Sequence, residues 1–470
     1  MTTDSTPKVS KQSALIVATL AAFLLPLVGA SVNIALPKIG DAFELEAVRL
    51  SWVASIFLLS AAVFMVPFGR VADIYGRKLI FVIGVSIFSI ASLVSAIAST
   101  SLMLIVGRLI QGIGSAMMFG TGVAILTSVF PPEERGRALG INVAAVYLGL
   151  SLGPFLGGVL VEYLGWRSIF WANVPPGILI IILVFWKLRD EWAEAEGESF
   201  DGYGSVIYAI MLIMLMYGFS ILPAWQGFCL VGGGLLGLAL FVRWEQRVEH
   251  PVLDILLFKQ NRVFAYSNLA ALINYAATFA VTFLMSLYLQ YIKAMSPQQA
   301  GLILVAQPAV MTLFSPFAGR LSDRIEPRKV SSIGMSLTTL GLAILIFLNG
   351  DTPIWFLILN LMLLGAGFGL FSSPNTNAVM GSVERKFYGV ASGTVGTMRL
   401  TGQMFSMGIA MLIFSVVIGP YRITPQYYPQ FLQSMKIAFV IFTVLCLGGI
   451  FASLARGTMH TNNVAIIQEK

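Results

Sequence analysis

Arg108 and Arg399 are the two basic side chains that fall inside long apolar stretches of this 470-residue chain. A guanidinium in hydrocarbon costs about 2.5–3.5 kcal/mol on insertion scales, so each must face a protein interior and find acceptors there. Their chemistry is recognition of a substrate or coupling ion or, more plainly, satisfaction by backbone carbonyls and amide side chains that fixes helix register. Arg108 falls at a depth similar to Asn33, with Gln111 a turn further on; Arg399 lies nearer the middle of its stretch, beside Thr397, Thr401 and Gln403. The acids are distributed differently. Every Asp and Glu falls in a loop, a tail or at the end of an apolar stretch, and His250 and His460 lie outside those stretches. A proton relay needs a group whose pKa burial or neighbours can bring near neutrality, and none lies deep in a stretch. Cys229 and Cys446 sit in apolar runs, which argues against a disulfide framework or a metal cluster. No catalytic cluster and no phosphate-binding glycine loop is present, so the chain is read as neither an enzyme nor an ATP-driven pump, with no cofactor and no metal.

The elements that must hold these residues follow from composition. Hydrophobic residues make up 57% and charged residues 11%, where a soluble chain carries about 25% charged. Such a chain cannot cover a soluble surface, so a polytopic membrane protein is expected, with about 20 apolar residues per crossing. The runs fall at 14–36, 50–71, 79–99, 102–129, 138–161, 167–187, 203–222, 227–243, 264–291, 299–319, 330–349, 354–379, 389–419 and 434–455. They predict an all-α fold of fourteen transmembrane helices. Lys and Arg crowd one set of loops, among them Arg70, Arg77, Lys78, Arg135, Arg137, Arg243, Arg247, Arg320, Arg328, Lys329, Arg385 and Arg456. The other set holds Lys38, Arg49, Arg167, Lys293, Arg422 and Lys436. The bias puts both termini in the cytoplasm of a plasma (inner) membrane. The basic balance is explained by these loops and implies no nucleic-acid partner. The loop from Arg189 to Asp201 is locally acidic.

The chain repeats itself at long range. Gly69-Arg-Val-Ala-Asp73-Ile-Tyr-Gly76-Arg77-Lys78 has a partner in Gly319-Arg-Leu-Ser-Asp323-Arg-Ile-Glu-Pro327-Arg328-Lys329, and both fall on the cytoplasmic side of the predicted topology. Gly112-Ile-Gly114 answers to Gly365-Ala-Gly367. Two related halves point to a transporter with its site where the halves meet. The predicted division is a tail at 1–12, a six-helix bundle at 13–188, a linker with two inserted helices at 189–262, a second bundle at 263–456 and a tail at 457–470.

The Gly69–Lys78 loop resembles the signature loop of the major facilitator superfamily. Arg108-x-x-Gln111-Gly112-x-Gly114 is similar to its fourth-helix motif, and Gly149-x-x-x-Gly153-Pro154-x-x-Gly157-Gly158 to the fifth-helix motif of its exporters. Asn33-x-Ala35-Leu36-Pro37, Trp166-Arg167-x-x-Phe170 with Asn173-x-Pro175, His250-Pro-x-x-Asp254, and Gly389-x-Ala391-Ser392-Gly393 with Arg399 resemble the fourteen-helix drug:proton antiporter branch, the multidrug efflux transporters. The resemblance covers nearly the whole chain. It implies that Asp73 packs against the start of the helix at 389–419, that Asp323 faces the start of the helix at 138–161, and that Pro154 bends its helix to close the cavity. The gating set is then Gly69, Asp73, Gly76, Arg77, Gly153, Pro154 and Asp323, with Gly69 and Gly76 permitting close approach and tight turning. The cavity set is Asn33, Arg108, Gln111, Tyr147, Asn274, Gln307, Asn375, Arg399 and Gln403. One position departs from the branch: Val28 stands where the first-helix pattern carries an acid.

These residues favour export of amphipathic small molecules by a monomer in the bilayer, driven by an ion gradient, with protons as the ion the resemblance implies. The alternatives are a facilitator or exporter of an anionic or neutral metabolite without a membrane carboxylate, and a transporter-like sensor.

Overall fold

The computed structural model describes residues 11–188, 190–193, 195–248, 251, 255–383 and 388–457; the side chains at 132, 133, 135–137, 139, 255–257, 323, 388–390 and 392 fall outside it. Among the described residues every regular element is a helix. In a bilayer this is the expected outcome, because a helix satisfies its own backbone and an open strand cannot.

The first bundle holds α1 (Lys11–Phe43), α2 (Ala47–Tyr75), α3 (Arg77–Ala96), α4 (Ser101–Val129), α5 (Pro132–Leu164), α6 (Arg167–Trp171) and α7 (Val174–Lys187). The inserted pair is α8 (Gly202–Ile221) and α9 (Trp225–Glu245). A short α10 (Ile255–Gln260) leads into the second bundle: α11 (Arg262–Leu287), α12 (Pro297–Leu304), α13 (Ala306–Arg324), α14 (Pro327–Leu345), α15 (Ile354–Gly381), α16 (Tyr388–Val417) and α17 (Tyr428–Ala455).

Two of the predicted continuous runs are broken. Residues 167–187 form α6 and α7, interrupted where Pro175 and Pro176 remove two amide donors. Residues 299–319 form α12 and α13, which meet at Val305; Pro308, one turn on, cannot donate to the Leu304 carbonyl. Thirteen described spans are long and apolar enough to cross a membrane. The fourteenth helix, α14, has 19 residues but carries Ser331, Ser332, Ser336, Thr338 and Thr339 besides Arg328 and Lys329, which makes it less apolar. It still packs as its counterpart does: α3 lies on α4 and α14 on α15.

That repeat extends through the bundles. α1 pairs with α5 as α11 pairs with α16, and α2 lies on α4 as α13 lies on α15. The halves meet along two seams, α2 with α16 and α5 with α12 and α13. The inserted pair is more than a linker. α8 packs on α9 and also against both α2 and α16. The Tyr208 hydroxyl donates to the Ala62 carbonyl at 3.2 Å, and Ser415 Oγ donates to the Leu222 carbonyl at 2.5 Å. The outer face of the pair is apolar and exposed, with Ile210, Ile213, Phe228 and Leu236 pointing away from the protein, as suits a helix facing lipid.

Hydroxyls buried in the spans are mostly paired within their own helix. Ser51, Ser89, Ser92 and Thr338 each donate to the carbonyl four residues back. A larger polar group sits at the end of the second bundle where α17 finishes. Arg456, placed by the sequence in a cytoplasmic loop, is 1% exposed. Its guanidinium donates to Asn375 Oδ1 at 3.1 Å, Ser267 Oγ at 3.3 Å, Ser453 Oγ at 2.5 Å and the Ser453 carbonyl at 2.9 Å. It thereby ties α17 to α11 and α15. Arg456→Met should strand these buried acceptors, at about 1–3 kcal/mol each. Thermal unfolding of the purified variant should occur well below the wild-type temperature, and an unchanged temperature would contradict this role.

Candidate functional site: a cavity between the halves

A cavity of about 220 Å³ lies between the bundles, lined from the first half by α1, α2, α4 and α5 and from the second by α11, α12, α13, α15 and α16. Its wall is mostly apolar and aromatic: Phe57, Phe119, Phe279, Phe368, Met65 and Met311 all reach it. Six residues of the expected cavity set line it: Asn33, Arg108, Tyr147, Gln307, Arg399 and Gln403. Among the described residues no Asp or Glu lines it, and Val28 is fully buried in the apolar core.

Three expected cavity residues lie elsewhere. Gln111 is buried behind Arg108, accepting from its Nη1 at 2.5 Å and donating to Ser92 Oγ at 2.7 Å. Asn375 accepts from Arg456 and donates to the Ser267 carbonyl at 3.1 Å. Asn274 is fully buried, away from the cavity lining. Gln111 and Asn375 have turned toward a neighbouring helix, a choice helical periodicity does not resolve.

The two arginines differ. Arg108 is 1% exposed and held by its own half: Nε donates to the Val53 carbonyl at 3.1 Å, and the guanidinium lies 4.3 Å from the centre of the Phe57 ring. Arg399 is half-buried, with its guanidinium 5.2 Å from the centre of the Tyr275 ring. Its Nε is buried with no hydrogen-bond partner. Tyr275 packs edge-on against Phe368, so an aromatic corner stands beside the Arg399 cation. Tyr275, one of the polar residues the sequence offers as a possible cavity lining, reaches the wall, whereas Thr278 and Thr282 were missed; all three follow Asn274 on the same helix.

The cavity is sealed at the end opposite the Gly69–Lys78 loop. Near mid-helix, Tyr147 Oη lies 3.0 Å from Ser372 Oγ across the halves, and Ser151 Oγ lies 3.3 Å from Thr312 Oγ1. Further along, α5 and α12 touch backbone to backbone, where a Cβ on Gly301 would stand 2.1 Å from the Pro154 carbonyl. Pro154 thus meets the opposite half. Gly153 instead packs within its own half, where a Cβ would lie 2.6 Å from Ala30. A further joint lies between α1 and α11. Pro37 has no amide hydrogen, so the Asn33 carbonyl loses its partner within α1. Ser286 Oγ of the second half donates to that carbonyl at 2.7 Å, and Gln290 Nε2 donates to the next, Ile34, at 3.0 Å. The Asn33–Pro37 motif therefore exposes an acceptor that the opposite helix fills.

At the other end the signature loop is organised around Arg77, which donates from Nε to Asp73 at 2.8 Å, to the Ala124 carbonyl at 3.4 Å and to Ser128. Gly76 has φ +118°, a conformation that excludes most side chains. Gly69 does not permit a close approach, because a Cβ there would meet nothing within 4 Å. The acidic loop lies across this turn. Glu191 accepts from the Lys78 and Leu79 amides at 2.7 and 3.1 Å, satisfying the free N-terminus of α3. The Arg77 amide donates to the Trp192 carbonyl at 2.9 Å, the Ala195 amide to the Asp73 carbonyl at 2.9 Å, and Arg70 pairs with Glu198. The Asp323 side chain, the side chains at the start of α16 and those of Arg135 and Arg137 lie outside the described residues, as do His250, Asp254 and His460.

A family model described as "Major Facilitator Superfamily" matches residues 18–242 and 268–468. The chain belongs to the major facilitator superfamily. Three relatives match it over most of their length. It is 31% identical to the riboflavin transporter RibZ of Clostridioides difficile, over 84% of this chain and 86% of that one. It is 32% identical to the multidrug resistance protein Stp of Mycobacterium tuberculosis, over 85% and 74%, and 28% identical to the tetracenomycin C resistance and export protein of Streptomyces glaucescens, over 81% and 71%. A crystal structure of a D-xylose–proton symporter superposes with a TM-score of 0.63 at 15% identity, covering 92% of this chain and 97% of that one. In this major facilitator chain the paired bundles and the cavity between them are therefore the transport fold.

The α1–α11 joint makes a measurable difference to which end is open. Losing one such bond is worth about 1 kcal/mol, a roughly fivefold change in an equilibrium. With spin labels at 162 and 299 on α5 and α12, the double variant Ser286→Ala, Gln290→Leu should populate a longer label separation than wild type. Identical distance distributions would show that the joint does not hold that end.

Proposed function

We propose that this transporter exports amphipathic small molecules by alternating access, the two halves rocking about the cavity. The observation that carries this is the wall itself: apolar and aromatic, with a few polar groups from both halves, sealed at one end. Such a site takes an apolar body and fixes it with a small number of hydrogen bonds. The relatives named for multidrug resistance and for tetracenomycin C export support the direction and the breadth; the riboflavin transporter supports a small-molecule cargo without deciding the direction. The basic loops favour the signature-loop end in the cytoplasm of the plasma membrane, so the present state loads from inside. The Asp73–Arg77 loop, with Asp323 as its counterpart, serves as the inner gate.

A second reading concerns coupling. With Val28 in the first helix and no acid among the described lining residues, a proton would have no carboxylate to ride through the cavity. We infer that transport runs without one, either as facilitated movement or with the ion bound elsewhere. Uptake of neutral, anionic and cationic amphipathic dyes into inside-out vesicles, with and without an imposed pH gradient, tests both points. The expected result is saturable uptake several-fold above protein-free vesicles, with little response to the pH gradient. Absence of saturable uptake for every dye would overturn the export reading; strict dependence on the gradient would overturn the coupling.

A further inference from the structure

We propose that the cavity carries an anion subsite at Arg399 and selects aromatic monoanions, with the acid group on the guanidinium and the ring against Tyr275 and Phe368. This rests on the transport reading of the same cavity and adds the charge of the cargo to it.

The argument starts from the unequal state of the two cations. Arg108 is already satisfied by the Val53 carbonyl, Gln111 and the Phe57 face. Arg399 lines the cavity with Tyr275 as a side-chain hydrogen-bond partner, with no ion pair among the described residues, and its buried Nε has no partner. A half-buried cation with no counter-charge beside it is costly, and a ligand that supplies the missing charge recovers that cost. No acid among the described lining residues competes for it. Two positive charges in one low-dielectric cavity set up a field that attracts anions and repels cations. A planar guanidinium also matches the two oxygens of a carboxylate, and offers three or more donors to a sulfonate.

The neighbours define the rest of the cargo. Tyr275 and Phe368 stand edge to face with centroids 5.3 Å apart, which leaves an aromatic face beside the cation. A ring whose acid group reaches Arg399 lies against that face, with offset or edge-on contacts as aromatic pairs prefer. Gln403, one helical turn from Arg399, and Gln307 on the opposite wall supply neutral hydrogen bonds for a second substituent. A cavity of about 220 Å³ suits one or two fused rings.

A matched series separates charge from shape: 1-naphthoate, 1-naphthamide and 1-naphthylmethylammonium, titrated against the purified full-length protein in detergent by thermal shift or calorimetry. Wild type is expected to bind the acid about tenfold more tightly than the amide, and the ammonium most weakly. Arg399→Gln should bring the acid to the level of the amide while leaving amide binding in place, and Arg399→Lys should keep part of the preference. If Arg399→Gln does not fold, the charge order on wild type decides. The proposal is overturned if wild type binds the ammonium as tightly as the acid, if it binds none of the three, or if Arg399→Gln keeps the preference. Flux of acid and amide in proteoliposomes tells this failure from failure of the transport reading. Saturable flux of both without preference removes the subsite alone. Preferential binding without flux of either removes the export reading and leaves the subsite.

Discussion

A donor or acceptor left alone in hydrocarbon costs several kcal/mol, and there is no water in the bilayer core to take it. The architecture of this protein can be followed from that one constraint. Small hydroxyls fold back on their own helices, as at Ser89 and Thr338. Guanidiniums reach across to other helices, as Arg456 joins α17 to α11 and α15 and Arg108 joins α4 to α2. Each such bond removes a polar group from the apolar phase and, in the same act, decides which helices are neighbours.

The same constraint explains how the halves are held without being fused. Within a half, helices approach at backbone distance over long stretches, as α1 does on α5 around Gly153. Between halves the backbones meet at α5 and α12, and elsewhere polar side chains make the joints: a tyrosine on a serine, a serine on a threonine, and two side chains on the carbonyls beside Pro37. A carbonyl released by proline has a partner only while the opposite half is in place. When that end opens, water takes over as its partner, so the joint can break at small cost. The inserted pair adds to this by resting on α2 and α16 together. In the rocking motion proposed above, it spans a seam across which the halves move, and it would follow that movement only by sliding or tilting against one of them.

Much of this was legible in the residues. Apolar runs gave thirteen of the spans within a few residues, and the fourteenth, α14, stood out as a helix even though its serines and threonines lower its hydropathy. The paired Gly-Arg-x-x-Asp loops revealed two halves, and the motif order revealed the superfamily. The site was legible in part. Arg108, Arg399, Tyr147, Gln307, Gln403 and Asn33 were found because a polar residue in an apolar run must face the protein. The sequence does not say which interior it faces: Gln111 and Asn375 obey the same rule and point at other helices, and Asn274 is buried away from the cavity. Arg456 was assigned to a loop because it follows the last apolar run, and only packing shows it buried. Ser286 and Gln290 were invisible because a serine and a glutamine one turn apart carry no signal by themselves; their role depends on the carbonyls beside Pro37, which the fold brings to them from the other half of the chain.

The central claim is a cavity between the halves, closed at the Ser286 side and, as proposed above, reached from the signature-loop side. Its most direct test is the accessibility of Gln403→Cys, introduced after Cys229 and Cys446 have been replaced by alanine. A membrane-impermeant maleimide should label this cysteine in inside-out vesicles and leave it unlabelled in right-side-out vesicles. Labelling from the outer face alone, or equally from both faces, would contradict the account.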